Sequence, residues 1–196
     1  LEEEWGLEDK PALRTAFKTR TVVIDCENRG EEVGKKNNAG GIVGNMDFGY
    51  ITDCISAGLV ESTDGHYVGG IAGRSHSAIH CSHAKSTLGG GNYVGGIAGL
   101  GQEIVECRSL VTIDRGRACL GAIAGYAENH NAIQGNYFVS ADLAGIDGIS
   151  YVGRAEPVSY EEFAAIEGLP SIFKEFELTF WDDEKLLSAI RFDYGD

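Results

Sequence analysis

Val68-Gly-Gly-Ile-Ala-Gly73 is one of four near-identical stretches in this chain of 196 residues. The other three are Ala39-Gly-Gly-Ile-Val-Gly44, Val94-Gly-Gly-Ile-Ala-Gly99 and Leu120-Gly-Ala-Ile-Ala-Gly125, and a shortened copy is present at Tyr151-Val152-Gly153. The second residues of the four full copies are 29, 26 and 26 positions apart. Self-similarity at this period is typical of a solenoid, in which each repeat buries its apolar face only against neighbouring repeats.

The repeat length and composition predict what kind of solenoid this is. The repeat is rich in glycine and β-branched residues and lacks helical periodicity, which favours one coil of a parallel β-helix per repeat. We therefore predict an all-β fold, a short right-handed β-solenoid of four to five coils. The handedness rests only on the general preference for right-handed crossovers between parallel strands. We expect the repeated glycines to permit close approach of the coils and the positive φ that corners require.

Stacked coils place equivalent residues about 4.8 Å apart, so each repeat position becomes a column along the solenoid. The Gly-rich stretches predict one apolar column, formed by Ile42, Ile71, Ile97 and Ile123. The cysteines predict a second, buried column of free thiols, formed by Cys26, Cys54, Cys81 and Cys107. The residues before them would form an outward polar column: Asp25, Asp53, His80 and Glu106. Gly135 and Asn136 stand at the cysteine site of the next coil, which we expect to be distorted or looped out.

Three regions follow from the sequence pattern. We expect residues 1–20 to form an N-terminal flank or cap, residues 21–158 the solenoid, and residues 159–196 a helix and a β-hairpin. This last region would act as a cap or begin the next module. Ser159-Tyr-Glu-Glu162 has the capping-box pattern, which predicts a short helix at about residues 160–167. The apolar runs 176–181 and 186–194 flank Asp-Asp-Glu-Lys, as the strands of a hairpin would.

The charge and hydropathy of the chain limit the kinds of partner that it can bind. The net charge of −14 argues against nucleic acid and anionic membrane surfaces. No apolar run has the length of a membrane span and no signal-peptide pattern is recognisable, so we expect no membrane insertion. Because the chain starts at Leu1 rather than at Met, we expect a piece of a longer polypeptide, which would be monomeric in isolation.

The sequence offers little that points to catalysis or metal binding. The cluster with metal-ligand residue types comprises His76, His80, Cys81 and His83. Zinc needs four convergent ligands, whereas the adjacent His80 and Cys81 are expected to point in opposite directions. The chain has no His-Glu-x-x-His sequence and no evident pair of carboxylate columns. We therefore expect no enzyme, assign no catalytic, cofactor-binding or metal-binding residue, and expect no cofactor.

Tyrosines are the remaining candidates for a binding site, because aligned exposed rings could bind glycans. The candidates are Tyr50, Tyr67, Tyr93, Tyr126 and Tyr151. By alignment Tyr67, Tyr93 and Tyr151 share one repeat position, which Cys119 occupies in another copy. Packing at a solenoid corner also explains the shared position and is the reading we favour, with glycan binding as the alternative.

The pattern Val-Gly-Gly-Ile-Ala-Gly, followed by Ile-x-x-Cys and a small-residue strand, resembles the GLUG motif. This motif is repeated in large bacterial surface proteins, including adhesin-like proteins and immunoglobulin A-cleaving metallopeptidases. The resemblance covers about residues 37–153.

The resemblance implies a non-catalytic extracellular repeat domain at the surface or cell wall of a bacterium. Such a domain would act as a stalk, spacer or adhesive module, with a host glycoprotein, glycan or matrix protein as its partner. Two alternatives are an accessory domain that positions the substrate of a secreted metallopeptidase and a specific glycan-binding module.

Overall fold

The computed structural model describes residues 21–182 and 185–194, so the expected flank at residues 1–20 lies outside the described residues. Nearly all of the described structure is β, and parallel strands of successive coils stack into a solenoid of about four turns. This confirms the predicted all-β solenoid. The coils are residues 21–42, 43–71, 72–97 and 98–123, followed by an irregular fifth coil over residues 124–157.

In the described part of the chain, three parallel sheets form the sides of the coils. Sheet A contains β1 (Thr21–Ile24), β5 (Val43–Met46), β6 (Gly49–Thr52), β9 (Ala72–His80), β12 (Ala98–Val105), β16 (Ala124–Ala127) and β17 (Ile133–Gln134). Sheet B contains β2 (Glu27–Asn28), β3 (Glu32–Gly34), β7 (Ile55–Ser62), β10 (His83–Gly89), β13 (Arg108–Ser109), β14 (Thr112–Arg115), β18 (Asn136–Phe138) and β19 (Ala155–Pro157). Sheet C contains β4 (Ala39–Gly40), β8 (Val68–Gly69), β11 (Asn92–Gly95) and β15 (Ala118–Gly121).

The core consists of apolar columns that run along the solenoid axis. In sheet A, register pairing stacks one fully buried column: Ile51, Ile79, Ile104 and Ile133. The predicted isoleucine column is also present. Ile71, Ile97 and Ile123 are fully buried and joined by backbone hydrogen bonds from coil to coil, and Ile42 packs partly buried at its end. Side chains of the same shape can stack in register because each coil repeats the backbone path of the last.

The repeated glycines lie where adjacent backbones leave no room for a side chain. A Cβ atom on Gly69 would lie 2.0 Å from the carbonyl oxygen of Ala72, and one on Gly96 would lie 1.8 Å from that of Ala122. The expectation of close approach is therefore correct, but the expected positive φ is not found at these glycines. Positive φ falls instead on the residue before each motif, as in Tyr67 and Tyr93, both at 62°.

The predicted column of four cysteines is wrong at its third position. Ile55 pairs with His83, and His83 with Arg108, so the preceding residue, Ser82, lies between Cys54 and Cys107. The step from Cys54 is thus 28 residues, one more than the spacing to Cys81. Ser82 fills the inner position and accepts a hydrogen bond from the Cys54 backbone N–H at 3.2 Å. Cys26 is exposed at the end of the column, so only Cys54 and Cys107 are buried thiols.

The same one-residue shift corrects the predicted polar column. Its members share a left-handed corner conformation, with φ between 43° and 64°: Asp25, Asp53, Cys81, Glu106 and Gly135. Cys81 therefore replaces the predicted His80, which instead ends strand β9 on sheet A. The left-handed conformation turns the chain sharply from sheet A into sheet B.

Of the two outcomes expected at Gly135 and Asn136, looping out is wrong, because the fifth coil, although irregular, stays stacked there. Strand β18 pairs in register with β13, and Asn136 is fully buried at the inner position of the column. Its side chain accepts a hydrogen bond from the Cys107 N–H at 2.8 Å and donates to the carbonyl oxygens of Ile104 and Arg154, both at 2.9 Å. Asn136 thus bridges the backbones of neighbouring coils where a cysteine could not.

The predicted helix and hairpin are present beyond the solenoid. Helix α1 (Tyr160–Ala164) begins with the predicted capping box, formed by Ser159 and Glu162. A 3-10 turn (Ser171–Phe173) leads into the antiparallel hairpin of β20 (Glu175–Asp182) and β21 (Lys185–Asp193). Among the described residues, no helix has the length and apolar character that crossing a bilayer requires.

The C-terminal segment packs on the outer face of sheet B. Lys85 of β10 donates hydrogen bonds to the carbonyl oxygens of Ile172, at 2.7 Å, and Glu175. Its ammonium group lies 4.9 Å from the ring centroid of Phe176. Because this segment lies on sheet B, it does not cover the outer face of sheet A.

Candidate functional site: the outer face of sheet A

Alternate residues of the sheet A strands form a flat outer face. Along β9, Ser75, Ser77 and Ile79 are buried, whereas the residues between them are partly exposed. Register pairing adds side chains from the neighbouring coils. The outer face of sheet A comprises Asn45, Tyr50, Arg74, His76, Ala78, His80, Leu100, Glu103, Tyr126 and Glu128.

A hydrogen-bonded relay crosses three coils on this face. The hydroxyl oxygen of Tyr50 lies 2.7 Å from Nδ1 of His80, and Nε2 of His80 lies 2.7 Å from a carboxylate oxygen of Glu103. Tyr50 and Glu103 are both paired with Ala78 in the ladder, and this small residue leaves space between them that the His80 ring fills. With its proton on Nε2, the imidazole donates to Glu103 and accepts from Tyr50. The three side chains are therefore held in fixed positions.

A second histidine is paired with a carboxylate on the same face. Nδ1 of His76 lies 3.2 Å from a carboxylate oxygen of Glu128, although the two residues are two coils apart. The pair crosses the intervening coil where the β12 register shifts between Gly101 and Glu103, at the exposed Gln102. At this bulge two residues of β9, His76 and Ser77, lie opposite the single residue Gln102 of β12. Both carboxylates of the face are thus engaged with histidines.

Tyrosines border the face at its junction with sheet C. The rings of Tyr67 and Tyr93 stack with centroids 4.8 Å apart, and Tyr126 meets Tyr93 edge to face at 6.2 Å. Tyr67 and Tyr93 thus each use one ring face on the other, which supports packing for these two residues. Tyr126 is 41% exposed. The neighbouring Cys119 and Tyr67 raise the pKa of the Tyr93 phenol, so it stays protonated at neutral pH.

Tyr151 does not share the repeat position of Tyr67 and Tyr93, so the alignment of these three tyrosines is wrong. The left-handed corner position is held by Asn38, Tyr67, Tyr93 and Cys119, whereas Asp147 owes its positive φ to a turn between the bridged residues Ile146 and Ile149. Tyr151 lies instead in the irregular fifth coil, where its ring packs edge to face on His130 at 5.3 Å. Of the five candidate tyrosines, the structure thus brings four to the outer face of sheet A or its border.

The candidate metal cluster is divided between different faces of the solenoid. His76 and His80 lie on sheet A, Cys81 occupies the corner, and His83 lies on sheet B. Among the described residues, no three histidine, cysteine or acidic side chains form a group that could hold a metal ion. The sequence cluster reflects a chain that turns a corner between its members.

A groove lies elsewhere, between the hairpin and sheet B. It has a volume of about 720 Å³ and is lined by three basic residues: Arg29, Lys85 and Arg191. Arg29 pairs with Glu27, Arg191 pairs with Glu177, and Lys85 donates to backbone carbonyls. Its basic groups are therefore already satisfied within the chain, which favours sheet A as the candidate site.

His83 should make the fold sensitive to acid. Burial, assisted by the nearby Arg108, lowers the pKa of His83 to about 4, against an opposing effect of Asp53. The unfolded chain therefore binds more protons between about pH 6.5 and pH 4, so stability should fall as the pH drops through that window. We expect His83→Gln to reduce this loss, measured by urea unfolding at pH 7 and pH 5. His130→Gln serves as the control, and equal pH dependence in His83→Gln and the unmodified chain would contradict the prediction.

Thiol reactivity should differ sharply along the cysteine column. Burial raises the pKa of the Cys107 thiol to about 12, whereas Cys26 is exposed. Because the thiolate is the reactive form, we expect an alkylating reagent to modify Cys26 in the native protein and Cys107 only after unfolding. Peptide mass spectrometry after timed labelling measures this, with Cys26→Ser to assign the fast site. Equal labelling rates at the two residues would show that the reagent reaches the buried thiol in the native protein, contrary to the prediction.

The chain matches no family model, and neither a curated protein nor a solved structure shows significant similarity to it. The site is therefore defined by its geometry. Six residues of the outer face were not singled out from the sequence: Asn45, Arg74, Ala78, Leu100, Glu103 and Glu128. The separation of 52 residues between His76 and Glu128 equals two repeats and is a signal that could have found Glu128, whereas the separation of 23 between His80 and Glu103 does not match the repeat.

Proposed function

We propose that this chain is a non-catalytic extracellular repeat domain of a bacterial surface protein, which holds an adhesive face on a rigid stalk. The observation that carries the proposal is the outer face of sheet A, whose polar and aromatic side chains are fixed by contacts between coils. Fixed side chains lose little conformational entropy on binding, so they favour recognition of a partner. The bacterial surface is proposed from the resemblance of the repeats to the GLUG motif.

The stalk function is supported by the stacking of the coils. Parallel pairing continues from β1 to β19, so each coil rests on the next through backbone hydrogen bonds and buried columns. Four coils span about 20 Å at the ordinary spacing between strands. Such a piece holds a binding face at a set distance and orientation from whatever precedes and follows it.

A glycan-binding function is favoured by Tyr126, whose ring is 41% exposed beside hydrogen-bonding side chains of the same face. A sugar presents apolar C–H groups to an aromatic ring and hydroxyl groups to polar side chains. The partially exposed Glu103, at 44% of its side chain, is one such group.

The test is a binding screen of the isolated, folded chain against immobilised mucin, host glycoproteins, matrix proteins and a glycan array. We expect binding that Tyr126→Ala weakens severalfold. Tyr194→Ala, which changes a similarly exposed tyrosine on the hairpin (48% exposed), is the matched control and should bind normally. Absence of binding to every partner, or equal loss in both variants, would contradict an adhesive function of this face.

A further inference from the structure

Arg74 stands out on the outer face of sheet A because its charge has no partner. Within residues 21–182 and 185–194, its guanidinium forms no hydrogen bond or ion pair, and its Nε is buried without a partner. Its contact is the ring of Tyr67, whose centroid lies 5.9 Å from the guanidinium carbon. This contact orients the guanidinium plane but leaves its N–H donors unused.

An unused guanidinium is unexpected in a chain with a net charge of −14. Among the described arginines, Arg29, Arg115 and Arg191 form ion pairs, that of Arg115 with Glu61 at 2.7 Å. On the face itself, the carboxylates of Glu103 and Glu128 each contact a histidine. Within the described residues no side chain therefore uses the donors of Arg74, which can bind an anion.

The neighbours of Arg74 define the chemistry of that anion. Its register partners in the ladder are Asn45 on one side and Leu100 on the other, with Tyr126 beyond Leu100. Asn45 supplies amide hydrogen-bonding groups, and the exposed Tyr126 ring supplies an apolar surface, while Leu100 lies buried between Arg74 and Tyr126 in the ladder. A guanidinium fork beside an aromatic ring and an amide suits a ligand that carries a carboxylate on a ring with one apolar face.

A peptide fits this place poorly. Recognition of a peptide backbone on a sheet requires a free strand edge, because the backbone adds as a further strand. Strands β9 and β12, which carry Arg74 and Leu100, are each paired on both sides by neighbouring coils. Their backbone N–H and C=O groups form hydrogen bonds within the solenoid, so a ligand on this face can bind only to side chains.

We propose that Arg74, with Asn45, Leu100 and Tyr126, forms a binding site for an acidic sugar, and that Arg74 binds the sugar carboxylate through paired N–H donors. The proposal rests on the proposed adhesive function and names the ligand class of that face. The sugar ring lies on the exposed Tyr126 ring, and the carboxylate points toward Arg74. A sialic or uronic acid residue of a glycan has this chemistry.

The test titrates the full chain with sialyllactose, a glucuronic acid disaccharide, sulfated lactose and lactose, followed by NMR shifts or calorimetry. We expect both carboxylated sugars to bind and lactose to bind at least about tenfold more weakly, as loss of a charged hydrogen-bonding partner implies. Arg74→Gln should weaken carboxylated sugars about tenfold. Arg117→Gln makes the same charge change at an exposed residue in the turn between β14 and β15, and should have no effect.

Several outcomes would overturn the proposal. Equal binding by Arg74→Gln and the unmodified chain, equal loss in Arg117→Gln, or no binding of either carboxylated sugar would each do so. Binding of sulfated lactose alone would overturn the carboxylate assignment. If Arg74→Gln still binds mucin or matrix protein in the screen above, this inference fails while the proposed adhesive function stands.

Discussion

Gly96→Ala is expected to destabilise the folded chain by roughly 4 kcal/mol, at the upper end for a single substitution. The added Cβ would lie 1.8 Å from the carbonyl oxygen of Ala122 and 2.2 Å from the hydroxyl oxygen of Ser109. The first of these atoms is backbone and cannot move away without breaking the stacking of the coils. The destabilisation is steric and involves no backbone strain, because the φ of Gly96 lies outside the left-handed region.

The measurement is urea unfolding followed by circular dichroism, with Gly34→Ala as the matched control. Gly34 lies in β3, and a Cβ there would approach nothing closer than 3.6 Å, an ordinary contact. We expect the control to unfold within about 1 kcal/mol of the unmodified chain. Equal stability of the two variants would show that the corner can widen, contrary to the stacking described above.

The second large effect is expected for Asn136→Ala, at about 3 kcal/mol. Asn136 is fully buried and satisfies the N–H of Cys107 and the carbonyl oxygen of Ile104. Alanine would leave both groups without a partner in the interior, where water cannot replace the lost hydrogen bonds. The substitution also removes the bridge to Arg154 in the fifth coil.

Urea unfolding measures this variant against Asn45→Ala, in which an exposed asparagine loses one hydrogen bond to Asp47 of 3.4 Å. We expect the control to change the free energy of unfolding by less than about 0.5 kcal/mol. Hydrogen exchange should locate the damage in Asn136→Ala at the amide of Cys107. Retention of full protection there would mean that another group takes the place of the asparagine.

Local and periodic features were predicted well. The capping box at Ser159 depends on residues three positions apart, so the sequence contains all of its parts. The isoleucine column follows from the strict spacing of the Gly-rich motif, whose close packing permits no shift between coils. Both cases depend on contacts that repeat the same way in every copy.

The assignments that failed depend on how long each coil is between motifs. Matching Cys54 to Cys81 appeared natural from residue identity, yet an additional residue places Ser82 in the column and Cys81 at the corner. Tyr151 was aligned in the same way with Tyr93, although it pairs with Ala155 in an antiparallel bridge of the irregular fifth coil. Residue identity is a poor guide where one corner position tolerates asparagine, cysteine and tyrosine alike.

Only some residues of the outer face of sheet A could be predicted from the sequence. Tyr50, His76, His80 and Tyr126 were candidates, but Glu103 and Glu128 were not. The contact of His80 with Glu103 joins residues 23 positions apart, which differs from the repeat of 26. The contact of His76 with Glu128 joins residues 52 positions apart, which equals two repeats, but it passes over a whole coil.

The sequence by itself determined the solenoid, its close-packed glycines and its isoleucine column, which recur with each repeat, and the capped helix, whose capping residues are three positions apart. The tertiary structure alone decided which side chains meet across coils and which are left without a partner. Within the described residues Arg74 has no hydrogen-bonding or ionic partner, whereas the two acidic residues of its face contact histidines of the same strand. Such pairing depends on three-dimensional distance, and a sequence records only order.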